Sequence, residues 1–104
     1  SLSTSLRNGG PKSVLMFQYF KIKGESMSPS LQSGDIVITS DLVEINKNDI
    51  VVLEDTTYGT VVKRVSYMRK NYFKVKSDNL KTDSPVCSTL HPNGNIIGKV
   101  ISIL

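Results

Sequence analysis

The sequence predicts an all-β domain, a compact and twisted β fold with at most short helical turns. Three observations carry this. Short runs of β-branched and aromatic residues recur along the chain, turn residues separate them, and no segment sustains the 3.6-residue apolar period of an amphipathic helix. Taken in order, Phe20 and Ile22 alternate with Lys21 and Lys23, and β-branched runs follow at 35–39 and 49–53. Two further runs, 59–65 and 71–76, flank a turn expected at 67–70, and residues 95–103 close the chain. Turn signals fall at Ser33-Gly34, Asn48-Asp49, Tyr58-Gly59 and Pro92-Asn93-Gly94. Residues 27–32 have room for a single helical turn. Residues 14–19 are apolar enough to add an edge strand.

With 104 residues, of which 38% are hydrophobic, the chain has enough material for one small core and none for a second. Residues 1–13 are small and polar and contain Gly9-Gly10-Pro11, which is linker composition, so the folded domain is expected over 14–104. The chain starts at Ser1 rather than methionine, and a fragment of a longer protein is expected. Cys87 is the single cysteine, which excludes an internal disulfide and a thiolate zinc site and makes a reducing cytoplasm the default. Neither a metal nor a cofactor is expected. No apolar run approaches the ~18 residues that cross a membrane.

The formal charge is +4, but the basic residues are scattered without a helical stripe and read as solvated surface. A helix-turn-helix also needs more chain than the 26 residues ahead of Met27. DNA contact is therefore expected only through a separate N-terminal domain.

The chemistry concentrates in Gly24-Glu25-Ser26-Met27-Ser28-Pro29, in Gly34-Asp35 and, 37 residues after Ser26, in Val62-Lys63-Arg64. These read as a serine nucleophile and a lysine base. A serine hydroxyl attacks only when a neighbour takes its proton, and an amine can do so only while uncharged. Free lysine titrates near ~10.4 and burial lowers that, because the charged form is the one that loses hydration. Strand alternation puts Val61, Lys63 and Val65 on one face, with Val62 and Arg64 on the other, so valines flank the base.

The neighbouring residues read structurally. Gly24 lends the backbone freedom to bend before the nucleophile, Met27 packs beneath it, and Pro29 stiffens the turn. Asp35 reads as turn chemistry and Arg64 as a surface or interface cation. Asp78-Asn79 is either a loop that orients Lys63 or a simple Asx turn. A Ser-His-Asp triad would require His91, the only histidine, which sits in a turn sequence with no companion motif.

GESMSPSLQSGDIV together with VVKRV resembles the catalytic domain of the LexA-like family, self-cleaving serine peptidases that include LexA, UmuD and the C-terminal domains of phage-type repressors. The resemblance covers about residues 20–104 and extends to Lys76-Ser77-Asp78-Asn79 and to the closing Ile96-Ile97-Gly98-Lys99-Val100-Ile101. It implies Ser26 as nucleophile, Lys63 as base, and an oxyanion hole made by the backbone amides of Glu25 and Ser26. It also implies a peptide substrate in the protein's own upstream linker or in a partner protein, homodimerisation through the C-terminal strand, and an activated RecA filament as the trigger of an SOS-type response.

Family cleavage sites usually read Ala-Gly or Cys-Gly, whereas this chain has no alanine and Cys87 precedes Ser88. Gly9-Gly10 is the nearest small pair, and the 15 residues between Gly10 and Ser26 span about 50 Å at ~3.3 Å each. A bond upstream of Ser1 is the stronger expectation. Two other readings compete. A signal-peptidase-like enzyme shares the Ser-Met-x-Pro and Lys-Arg-Val signatures, but its bacterial members place a serine where this chain has Gly24. The other is a dimerisation module of a transcription regulator that no longer cuts, against which the intact dyad argues.

Overall fold

The computed structural model of the chain describes residues 2–6, 17–82 and 84–104. Its strands are β1 (Leu2–Leu6), β2 (Phe17–Ile22), β3 (Ile36–Ser40), β4 (Ile50–Asp55), β5 (Gly59–Met68), β6 (Tyr72–Lys76), the two-residue β7 (His91–Pro92) and β8 (Ile96–Ile103). They form one sheet in the order β1-β2-β3-β8-β4-β5-β6-β7, every pairing antiparallel. Helical structure among the described residues is confined to 3-10 turns at Pro85–Ser88 and Asn93–Asn95. No helix of the described residues is long and apolar enough to cross a membrane.

Both faces of β4 and β5 are covered, so buried valines stand at consecutive positions, Val51-Val52 and Val61-Val62. Val52 and Val62 pack on one side with Phe20, Ile22, Met27, Leu31 and Val37. Val51, Leu53, Val61 and Val65 pack on the other with Phe73, Val75 and Val86. Each fully buried valine contributes about 1.5–3 kcal/mol relative to an exposed one. The C-terminal strand joins the two halves of the sheet by pairing with both β3 and β4. Gly98 permits this, since a Cβ there would stand only 3.0 Å from the Ser40 carbonyl oxygen.

Two local expectations are corrected. Pairing in β5 continues to Met68 rather than stopping before a turn at 67–70: a bulge between Val65 and Tyr67 takes up Ser66, so that Tyr67 and Met68 still find partners in Lys74 and Phe73. Within the stretch read as linker, Leu2–Leu6 forms a strand on β2, while the edge strand read at 14–19 starts at Phe17, its earlier residues lying outside the described ones. Residues 27–32 make the single turn expected of them, closed by one bond of helical spacing from the Leu31 amide to the Met27 carbonyl at 2.9 Å.

Candidate active site

Ser26 sits at the start of that turn, and its position is fixed from below and from the side. Met27 and Leu31 are buried in the core beneath it, and the Ser28 amide donates to the Glu25 carbonyl at 3.0 Å. Gly24 adopts φ +88°, a left-handed conformation that glycine takes without a Cβ clash, so the bend ahead of Ser26 is relieved there. The Ser28-Pro29 peptide is cis. Asp35 performs turn chemistry, its carboxylate accepting from the Gln32 amide at 2.9 Å.

Lys63 is 4% exposed although it is a lysine. On β5 it lies opposite Val51, between Val61 and Val65, and those three valines belong to a single apolar cluster. This burial lowers the Lys63 pKa from the ordinary 10.5, a shift that a charge on nearby Cys87 would partly oppose. The Nζ donates to Ser77 Oγ at 3.0 Å, and Ser77 Oγ lies 3.7 Å from Cys87 Sγ. Ser77 thereby fixes the direction of the amine. It is the site residue that motif reading passed over, although the Lys76-Ser77-Asp78-Asn79 string contains it.

Ser26 and Lys63 line one open cleft of about 310 Å³, with Gly24 and Glu25 at its edge and Val61 and Val86 among its walls. The loop after β6 holds the two halves of this cleft together. The Asn79 amide donates to the Ser26 carbonyl at 2.9 Å, and Asn79 Nδ2 donates to the Glu25 carbonyl at 3.0 Å. The two carbonyls are thus occupied from one side, while among the described residues neither the Glu25 nor the Ser26 amide N–H donates to another group. Asn79 also makes an Asx turn, its Oδ1 accepting from the Lys81 amide at 3.0 Å, while the contact with Lys63 comes from the neighbouring Ser77.

Arg64 is not a free surface cation. Its guanidinium grips Asp78 bidentately, Nε to Oδ1 at 2.8 Å and an Nη to Oδ2 at 2.7 Å, and its other Nη donates to the Asn48 carbonyl at 2.7 Å. Asp78 Oδ2 also accepts from Ser30 Oγ at 2.6 Å, so one carboxylate ties the lysine-bearing strand to the serine-bearing turn. The hydrogen bonds from Arg64 hold the Asp78 pKa below its usual 3.8, and those to Asp78 raise that of Arg64. The Asp78→Asn variant should lose about 2 kcal/mol in urea denaturation, because charge-assisted bonds at a largely buried pair go with the carboxylate. A folded-state pKa below the unfolded one means that this stabilisation is complete above pH 3.8 and disappears as pH falls through the lowered folded value. The gap between wild type and variant should therefore close in acid.

His91 has no place in the cleft. It lies in β7 rather than in a turn, 2% exposed, its ring tilted at 36° to that of Phe73 with centroids 5.4 Å apart, and its Nε2 donating to the Val86 carbonyl at 2.8 Å. That bond anchors the 3-10 turn at Pro85–Ser88, which supplies Val86 to the cleft wall. Among the described residues no group of three His, Cys, Asp or Glu side chains is arranged to hold a metal.

A family model described as Peptidase S24-like matches residues 13–101. No curated protein and no solved structure matches the chain significantly. The matched span contains the Ser26 turn, the Lys63 strand and the loop that joins them, and by that match the chain belongs to the Peptidase S24-like family.

Proposed function

We propose that the domain is a serine endopeptidase that hydrolyses a peptide bond through an acyl-enzyme on Ser26, with Lys63 as general base. The observation that supports this most is a desolvated lysine lining the same cleft as a serine whose turn is braced from three sides. Neutral Lys63 takes the Ser26 Oγ proton while that oxygen bonds to the scissile carbonyl carbon. The developing oxyanion accepts from the Glu25 and Ser26 amides, which are worth more in a water-poor site than in bulk solvent. As the tetrahedral intermediate collapses, the Lys63 ammonium returns its proton to the leaving amine, and the new N-terminus departs. A water, deprotonated by the same amine, then attacks the ester and frees Ser26. Ser77 acts by orienting Lys63 and touches no reacting atom.

The substrate proposed is a peptide segment of a LexA-like or phage-type repressor, the protein's own or a partner's, cut in the cytoplasm in an SOS-type response with an activated RecA filament as trigger. Cleavage would part a DNA-binding domain from this one. Incubating the protein, alone and joined to any polypeptide encoded upstream of Ser1, at alkaline pH and following fragments by mass spectrometry tests this. One discrete cut is expected. Intact polypeptide at every pH would favour the non-cutting dimerisation module.

Homodimerisation belongs to the same proposal. Beyond Val100 the last strand turns outward apolar residues to solvent, Ile101, Ile103 and Leu104 being 44%, 51% and 71% exposed. A second copy would cover them. Sedimentation near 100 µM, well above a homodimer constant of about 1 µM, should give a dimer; a monomer at that concentration contradicts it.

A further inference from the structure

Basic residues that read as scattered along the chain are in fact concentrated on the β5–β6 hairpin. Six cations and no acidic residue lie between Gly59 and Ser77, whereas the rest of the chain holds seven cations and nine acids. Two of the six are accounted for, Lys63 by burial and Arg64 by its grip on Asp78. The other four, Arg69, Lys70, Lys74 and Lys76, are exposed.

Strand geometry sorts three of them onto one surface. Phe73 and Val75 are buried, so Tyr72, Lys74 and Lys76 point the other way, and the bulge after Val65 sets Tyr67 opposite Lys74 on that same outward face. Arg69 folds back onto it, its guanidinium 4.7 Å from the centre of the Tyr67 ring and its Nε donating to Tyr67 Oη at 2.7 Å. Tyr72 is 51% exposed and Tyr67 38%. The hairpin turn is also pinned: Asn93 Nδ2 donates to the Arg69 and Lys70 carbonyls at 3.0 and 2.7 Å, and the Asn93 amide donates to the Asn71 carbonyl at 3.0 Å. Little order remains to be imposed when a partner binds.

We propose that this face is a docking site for single-stranded nucleic acid. Cations repeat on alternate residues about 6.8 Å apart along β6, beside tyrosine rings that give bases a stacking surface. Lysines alone would suit any polyanion. The exposed aromatic rings favour a ligand that offers phosphates and flat bases together, which an acidic peptide lacks and a duplex hides in its stack. The site is separate from the cleft and does not depend on cleavage chemistry.

The test is fluorescence anisotropy with a labelled oligothymidylate of about 12 nucleotides, a duplex of the same length, and poly-glutamate as competitor. The expected affinity for the single strand is about 10–100 µM in 50 mM salt, weakening about tenfold for a threefold rise in salt if three phosphates are paired. The double variant Lys74→Glu/Lys76→Glu should bind at least about tenfold more weakly, and Tyr72→Ala roughly tenfold more weakly. The Lys21→Glu/Lys47→Glu variant carries the same change of net charge elsewhere and should lose no more than about twofold. Circular dichroism confirms that each variant is folded. Absence of binding, equal loss in the two double variants, an unaffected Tyr72→Ala, or a duplex bound as tightly as the single strand overturns the proposal. Poly-glutamate that competes as well as oligothymidylate also overturns it and assigns the face to an acidic protein.

Discussion

Replacing Ser26 by alanine is expected to abolish peptide-bond cleavage while leaving the fold unchanged. Loss of a serine nucleophile costs about 10⁶-fold in turnover when base and oxyanion donors remain, because the latter alone give little chemistry. The turn does not depend on the hydroxyl: it is held by the Ser28 amide to the Glu25 carbonyl, by Leu31 to Met27, and by Asn79 to the Ser26 carbonyl. Thermal or urea midpoints should therefore move by no more than about 0.5 kcal/mol. Fragments counted by mass spectrometry, alongside the denaturation curve, check both parts. Cutting at the wild-type rate would place the nucleophile elsewhere.

The second large effect belongs to Lys63→Met. Methionine keeps the buried stem and deletes the amine, so cleavage should fall by at least about 10⁴-fold. Stability should behave in the opposite sense. The folded pKa lies below the ordinary 10.5, so wherever the unfolded chain holds the proton the wild-type domain must either bury an ammonium or release it, a cost that the variant lacks. The methionine protein should therefore be at least as stable near pH 7. The wild type should gain stability relative to it as pH rises from the folded value toward 10.5, where the folded state sheds the proton and the unfolded chain still holds it. Wild-type cleavage should climb about tenfold per pH unit below the folded pKa and then level off. Urea midpoints and cleavage rates across alkaline pH measure both. A destabilised variant would make Lys63 an ion-paired structural residue.

Much of this site is legible in the sequence because it depends on local periodicity. Alternation in Thr60-Val61-Val62-Lys63-Arg64-Val65 is enough to put the lysine among valines, and the structure keeps that pattern because both faces of β5 are buried. Glycine, serine and proline around Ser26 likewise announce a tight turn, and Met27 is buried in the core. What local pattern does not carry is the partner of a polar group when that partner lies on another element. Arg64 looks like a surface cation until the loop after β6 brings Asp78 to it. Ser77 is one more loop serine until Lys63 reaches it across the hairpin. His91 reads as a turn residue because its two-residue strand is too short for any period, and it is held by contacts with Phe73 and Val86. The single-residue bulge at Ser66 has no compositional signature, yet it decides that Tyr67 faces outward beside Lys74.

The central claim, that Lys63 activates Ser26, is tested most directly by covalent trapping. The protein is treated with a serine-directed phosphonate over a range of alkaline pH, and the labelled peptide is located by tandem mass spectrometry in wild type and in Lys63→Met. A phosphonyl adduct on Ser26 is expected, forming faster as pH rises toward a plateau, with labelling at least about 100-fold slower in the methionine variant. An adduct on another residue, or one on Ser26 that forms equally fast without the lysine amine, would contradict the account.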